Sequence, residues 1–577
     1  MDGNHTTAEG TAPRSCGVRM RDWLACLLLI TPAMVPYLAH FARRSDRGAP
    51  TGFIHYDMAV YMANAREHFD GPRFRLTYSN PCSPSYDGAP IYFQPMTLLL
   101  GVAWRASGLD PGRVFALFGL ASALACARVA LALYREVVGS GTTAHRLGLV
   151  AFFWGGGVLA LSGFLLALAR GRRDPFAFES IFVLDPASGL WFLNFGRNLV
   201  FPTEAFYHAL SFGAFYLVLK RRYFAASLLI VLLAASHPFT GIEVLAILAV
   251  WAAVEVVFME DPRVPRTFLW FLIVATLAHV GYYLVFLKSF PEHRRLMAQW
   301  ENDWLLQARN FIPSDLLVGG LALWTVRRCR LARDFFAEPR HRLLLVWFLV
   351  AFALANHEFA VKPIQPIHFT RGYIWTPLFL MGAGTMVGWL SRRLSDPRRA
   401  RGMAWVAVAM LVFLSDNLIW FGHFPLQAQC RDGRDVPPEP NNVADIRLTR
   451  DQWSVFDWIN REKLDGGLIL TRDPLLSYLA NVYTPLRSWA AHRFNTPDFE
   501  ARRRELDALF ERGTFVEAWD RTPVLVILRG PRDGTLDPSW LRGRGAVEVF
   551  ENGTYRVFRI DPAGLLQAAR GPSVRDT

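Results

Sequence analysis

Apolar stretches read as membrane spans recur through the first 421 residues, at about 23–41, 113–134, 147–169, 203–219, 223–237, 238–258, 267–287, 312–326, 341–357, 373–391 and 403–421. Backbone in hydrocarbon must satisfy its own hydrogen bonds, so such a chain is confined to a bundle of helices. The arginines orient the bundle. With residues 92–104 at the membrane surface, Arg135 and Arg146, Lys220 to Arg222, Arg263 and Arg266, Arg327 to Arg342, and Arg392 to Arg401 all fall on one side, which is assigned to the cytoplasm. The sequence thus predicts a mainly α, polytopic membrane bundle of about eleven spans, N-terminus in and C-terminus out. Residues 1–22 form a cytoplasmic N-terminus, 23–423 the membrane unit and 424–577 a small extracytoplasmic α/β domain. The first run follows Arg14, Arg19 and Arg21 without a small-residue cleavage site, so it is expected to remain as a helix, kinked at Pro32 and Pro36. The net charge of +13 is spread over loops, which speaks against nucleic acid as a partner. Basic residues are nearly all arginine, a bias of GC-rich bacterial genomes, so the expected location is the bacterial inner (plasma) membrane.

Four loops face outward on this topology: 42–112, 170–202, 288–312 and 358–372. In the first, His55-Tyr56-Asp57-Met58 opens a short amphipathic helix. Met58, Tyr61, Met62, Ala65 and Phe69 recur at three- and four-residue spacing, so that side is expected to lie on the bilayer while Asn64, Arg66, Glu67 and His68 stay in water. Asp57 then sits at the membrane–water boundary. A carboxylate there can act as general base on a hydroxyl or hold a divalent cation beside a phosphate. It can equally be a plain helix cap.

In the second loop Asp174, Glu179 and Asp185 are acids near the interface, either solvated or part of an acceptor or metal site. Trp191, Phe192, Arg197 and Asn198 occur in amphipathic runs expected to lie against the membrane. Glu204 heads an apolar span, where an ionised group is costly unless it faces a polar cavity. His237, in the turn Ser236 to Gly241, and Glu243 one turn on either shape that turn or line the same cavity. In the fourth loop Lys362 offers a point charge, Arg371 a bidentate fork and His368 a further donor, which suits a lipid-linked phosphate; the plain alternative is snorkelling toward head groups. The outward Arg43, Arg44, Arg47, Arg170, Arg172, Arg173, Arg294 and Arg295 either meet an anionic ligand or reflect the exemption of long loops from the charge bias.

The six cysteines lack metal-ligand spacing; Cys82 and Cys430 share the outer side, where two thiols are favoured over a disulfide. Beyond Phe421 the composition turns polar, with a connector from Asp435 to Asn442. A helix is expected from Asp451 to about Leu464, buried strands at 467–470 and 524–528, a charged helix over 497–513, and a hairpin over 547–560 about Glu551-Asn552-Gly553. With neither a phosphate loop nor paired carboxylates, this part reads as an accessory or lid domain.

Tyr56-Asp57 followed by Tyr61 and Ala65-Arg66-Glu67, the juxtamembrane Tyr92-Phe93-Gln94-Pro95-Met96, the acids after the third span, the long outer loop after the seventh, Arg371-Gly372-Tyr373 at the start of a span, and an outer domain with His492 and Asn495-Thr496-Pro497-Asp498 together resemble the glycosyltransferase-C (GT-C) superfamily. These polytopic enzymes use polyprenyl-phosphate-linked sugars. The resemblance covers most of the chain as architecture and loose motifs. It implies that Asp57 is the catalytic base or a metal-binding acid, with Mg or Mn as the ion, and that the donor lies in a membrane-facing cavity with Arg371, Lys362 and His368 on its phosphate. An inverting hexosyl or pentosyl transfer to a lipid, glycan or protein acceptor would follow, on the outer face, with Tyr56, Tyr61, Asp174, Glu179, Glu204, His237 and Glu243 around acceptor and cavity. Met58 stands where a second acid often follows the first, which favours a base over a metal ligand. The alternative is a non-catalytic transporter or flippase of a lipid-linked or anionic substrate; no inverted repeat is visible, and charges cluster at span ends, which weighs against it.

Overall fold

A helix occupies each of the eleven apolar positions in the computed structural model, which describes residues 16–43, 48–70, 73–86, 88–184, 194–259, 264–299, 304–328, 335–430, 446–464, 466–530 and 536–562, with 16–19 and 423–430 as backbone alone. Five helices are long and apolar enough to cross a membrane, and six when one bent pair is taken as a single span. Packing is tight where small residues allow it: a Cβ on Gly119 of the Pro111–Val137 helix would lie 2.7 Å from Pro202 Cγ at the start of Pro202–Leu219. The segment expected at the surface forms the helix Pro95–Ser107, opened by its own proline. At 13 residues it is about 20 Å long, short of the hydrocarbon thickness.

The run 147–169, expected as one span, is broken. Thr143–Trp154 and Leu159–Ala169 meet at 58° across Gly155-Gly156-Gly157. Such a break strips backbone N–H groups of their intrahelical partners. Asp416, on the helix Arg399–Cys430, accepts from the N–H of Gly157 (2.9 Å), Leu159 (3.2 Å) and Ala160 (2.9 Å), capping the second half from inside the bundle. Phe413 O and Pro313 O take the N–H groups of Gly156 and Val158.

Two expectations for the outer loops are overturned. The helix Met58–Glu67 does not lie on a bilayer with a wet opposite face: the 446–562 region covers that face, and His68 is fully buried, its ring bonded to Arg75 O (2.8 Å) and Thr97 Oγ1 (3.1 Å). Arg197 and Asn198, expected against the membrane, are buried inside the bundle, where Arg197 Nε donates to Asn417 Oδ1 at 3.1 Å. A buried guanidinium needs such acceptors, and the Arg399–Cys430 helix supplies one. Asp185, Trp191 and Phe192 lie outside the described residues.

The C-terminal part carries a five-stranded mixed sheet in the order Arg487–Ser488, Leu468–Thr471, Val524–Arg529, Tyr555–Ile560, Val547–Glu551. The first three strands run parallel; the last two form the expected hairpin, in which Tyr555–Ile560 runs antiparallel both to Val524–Arg529 and to Val547–Glu551. The helices Arg450–Arg461, opened by a Thr449–Gln452 capping box, and Phe499–Arg512 match the expected ones. This unit is fastened to the first outer loop: Ala49–Pro50 pairs with Arg447–Leu448, and Arg487 binds Glu67 with both η2 contacts near 3 Å (3.0 and 3.2 Å). Cys82 is a buried free thiol; the Cys430 side chain lies outside the described atoms.

Candidate active site

Asp57 occupies the N-cap position of Met58–Glu67, yet its carboxylate makes no capping hydrogen bond. The Val60 N–H, third in the helix and the group a capping acid would take, donates instead to the hydroxyl of Tyr478 (3.2 Å), whose own proton goes to Tyr56 O. The plain reading of Asp57 as a cap therefore fails, and its carboxylate is left for other work. Oδ1 accepts from His492 Nε2 at 3.1 Å, and Oδ2 lies 3.7 Å from His55 Nδ1, beyond hydrogen-bonding reach. Protein surrounds the carboxylate, but 45% of its side-chain surface stays open.

The imidazoles around it are ordered by their partners. His55 Nδ1 accepts from the Asp57 N–H at 3.2 Å, so its lone pair is used and the ring is neutral; burial also pushes His55 below its ordinary pKa. Tyr56 stacks on His492 at 4.4 Å and on Tyr478 at 4.9 Å, and its hydroxyl accepts from the Arg493 N–H at 2.9 Å. Burial by itself pushes the Asp57 carboxyl up, but the hydrogen bond from His492 and the positive charge of Arg371 oppose it, and the balance holds Asp57 below the usual carboxylate value. Of these groups Arg371 is the permanent cation.

Arg371 lies near the end of the segment 358–372. Gly372 follows in the left-handed region (φ +82°), packed against Asn198 and Phe195, and a side chain there would be strained; this turn delivers the chain into Trp375–Leu394. The guanidinium is buried and donates to Glu204 and to His368 Nδ1, while the Arg371 carbonyl accepts from His208 Nε2 at 2.8 Å. His368 stacks on Phe239 at 4.6 Å and His237 on Tyr207 at 4.5 Å. The charge of Arg371 reaches Asp57, Tyr61, Glu204, His237, Glu243 and His368. Around it, Arg371 Nε, Glu204 Oε2 and both Glu243 oxygens are buried without a hydrogen-bond partner among the described residues. Buried polar atoms are rarely left so unless a ligand or water completes them.

Asp57, Tyr56, Tyr61, Glu204, His237, Glu243, His368 and Arg371 are thus gathered around one polar region. Tyr61 lies one turn beyond Asp57, half-buried and stacked on Phe115. Lys362, Asp174 and Glu179 are exposed on their loops, and Asp174 is used locally, accepting from the Phe176 N–H at 3.0 Å. Sequence reasoning missed His55, Tyr207, His208, Tyr478 and the role of His492. His55 had a signal, its place two residues before Asp57; Tyr478 had none, being more than 400 residues away in sequence from the helix it caps.

The donor chemistry beside Asp57 does not fit a magnesium or manganese ion. The ring nitrogen facing Oδ1 carries a proton, the one facing Oδ2 is used by backbone, and no group of three or more His, Cys, Asp or Glu side chains converges among the described residues.

No family model and no curated protein sequence matches the chain. Solved structures similar to it include ArnT from Cupriavidus metallidurans in the apo state, at 14% identity over 95% of this chain and 99% of that one with a TM-score of 0.43. A second is the Archaeoglobus fulgidus oligosaccharyltransferase AglB in complex with an inhibitory peptide and a dolichol-phosphate, at 12% identity over 94% and 74% with a TM-score of 0.41. A third is arabinofuranosyltransferase AftD from Mycobacteria, at 13% identity and a TM-score of 0.49, covering 94% of this chain but 42% of AftD. These neighbours are glycosyltransferases of the GT-C superfamily. At such identities and TM-scores, no residue role is carried from them to this chain.

Proposed function

We propose that the chain is a GT-C-type glycosyltransferase of about eleven spans in the inner membrane. It transfers a sugar from a polyprenyl-phosphate-linked donor to a lipid, glycan or protein acceptor on the extracytoplasmic face. One observation carries this reading: a carboxylate released from capping duty and still partly exposed lies within the field of a buried guanidinium that has an unused N–H. Base and phosphate-binding cation are the two poles a displacement at a sugar carbon needs.

In the proposed reaction the acceptor oxygen bonds to the anomeric carbon from the face opposite the phosphate. Its proton passes to Asp57 Oδ2 as the carbon–phosphate oxygen bond breaks, and the electron pair leaves with the phosphate, inverting the centre. A base held so acidic takes the proton only as the new bond forms and acidifies the acceptor oxygen. Arg371, through Nε and its η nitrogens, and His368 stabilise the departing phosphate, and Lys362, exposed on the same segment, supplies a further positive charge. Glu204 Oε2 and Glu243 offer acceptors for sugar hydroxyls.

The test is reconstitution with a panel of polyprenyl-phosphate sugars, paired with mass spectrometry of glycolipids from a deletion strain. Transfer from one donor, and loss of the same sugar in the strain, supports the reading. Flux of a lipid-linked or anionic substrate across liposomes without transfer would replace it with the transporter.

A further inference from the structure

The single hydrogen bond between His492 and Asp57 is backed by further contacts that fix the ring. Asn495 Nδ2 donates to His492 Nδ1 at 2.8 Å, which leaves Nε2 as the protonated nitrogen and aims it at Asp57 Oδ1. With the Asn495 amide reversed, Nε2 would present a lone pair to an anionic oxygen, so carboxylate and amide select the same tautomer. The ring plane is fixed by the Tyr56 stack, and the loop by Thr496 N–H to His492 O at 2.8 Å and Asn80 Nδ2 to Asn495 O at 2.8 Å. His492 is 1% exposed, so this ring is built into the fold. Nothing in helix formation needs this arrangement, because Tyr478 already serves the helix terminus.

We propose that His492 is a positioning residue for Asp57, its Nε2–H fixing Oδ1 so that Oδ2 faces the acceptor, and that Asn495 sets its tautomer, which makes the C-terminal domain half of the general-base unit. The inference rests on the proposed transfer reaction. His492 keeps its proton throughout; only Oδ2 gains one. Asn495, His492 and Asp57 form a line in which the Nε2–H of the ring orients the base. A lid would cover the site and could be removed with the base intact; this domain could not.

The test uses the full chain, labelled with 15N-histidine and held in nanodiscs, with the His492 signal assigned by its disappearance in His492→Gln. The wild type is expected to show the Nε2–H tautomer, and Asn495→Leu and Asp57→Ala are expected to shift the ring toward a mixture. A wild-type ring in the Nδ1–H form, or one that neither substitution moves, would overturn the proposal. In transfer assays His492→Phe is expected to lower kcat on the order of 10- to 100-fold with donor KM near wild type, and His492→Gln, which restores an N–H donor, to recover most of it. Wild-type kcat in His492→Phe would also overturn it. If no polyprenyl-phosphate donor is used, the transfer reading fails, and the tautomer measurement still decides the His492–Asp57 relationship.

Discussion

Arg371 and Glu204 form an ion pair buried within the helical bundle, and each keeps one polar atom, Nε and Oε2, without a partner among the described residues. The pair holds the guanidinium in place without using up its donors. Arg371→Gln is expected to raise donor KM at least 10-fold, and Arg371→Lys, which keeps charge but not the fork, to recover only part. It also strands the buried Glu204 and Glu243 carboxylates together. Breaking a buried pair costs about 3–5 kcal/mol, so Arg371→Gln should unfold at lower temperature in detergent than Arg371→Gln/Glu204→Gln. Equal midpoints would show that the pair is solvated.

Asp57 should set the acid limb of the pH–rate profile. Its carboxyl lies below the ordinary value of 3.8, chiefly because the His492 hydrogen bond and nearby positive charge outweigh burial. Asp57 is therefore ionised throughout the neutral range, and kcat/KM is expected to be flat there and to fall only as pH drops through the depressed value. The sign for stability is the same: the contribution is present above the unfolded-state pKa and is lost as pH falls through the folded one. An acid limb near neutrality would identify another group as the base.

Asp416 should be a stability residue. Asp416→Leu leaves the Gly157, Leu159 and Ala160 N–H groups without their acceptor, at about 1–3 kcal/mol for each orphaned group. A fall of several degrees in the thermal midpoint is expected, with Asp416→Asn, which keeps one oxygen, in between. An unchanged midpoint for Asp416→Leu would mean that the broken helix is held by its packing.

The Glu67–Arg487 contact should fasten the C-terminal domain to the first outer loop. Arg487 is buried, stacks over Tyr86 at 4.6 Å and also donates to Ser83 O at 3.2 Å. Arg487→Met is expected to open residues 42–112 to protease and lower transfer, because the loop carries Asp57. Wild-type protection in this variant would place the fastening elsewhere, at the Ala49–Pro50 pairing with Arg447–Leu448.

What sequence made legible is what depends on neighbours along the chain. Apolar runs, the short segment around 92–104, the helix expected from Asp451 and the Glu551-Asn552-Gly553 hairpin are local physics, and a helix or hairpin lies at each of them. The break in 147–169 was also written there, as three consecutive glycines inside an apolar run, a signal outweighed by the length of the run. Asp57 and Arg371 were recognisable because charge at a span end is costly. The rest was hidden by distance: His492 meets Asp57 across 435 positions, and the polar face of Met58–Glu67 looked wet because nothing nearby announced the domain that covers it. Arg197 read as interfacial for the same reason, its acceptor Asn417 being 220 residues away.

The most direct measurement is sugar transfer by the purified chain and its Asp57→Asn variant in liposomes containing a polyprenyl-phosphate donor. The amide keeps the oxygen that His492 binds and removes only the basicity, so folding and donor binding should persist while turnover falls by about 10²- to 10⁴-fold. Turnover by Asp57→Asn at the wild-type rate would contradict the assignment of Asp57 as the base.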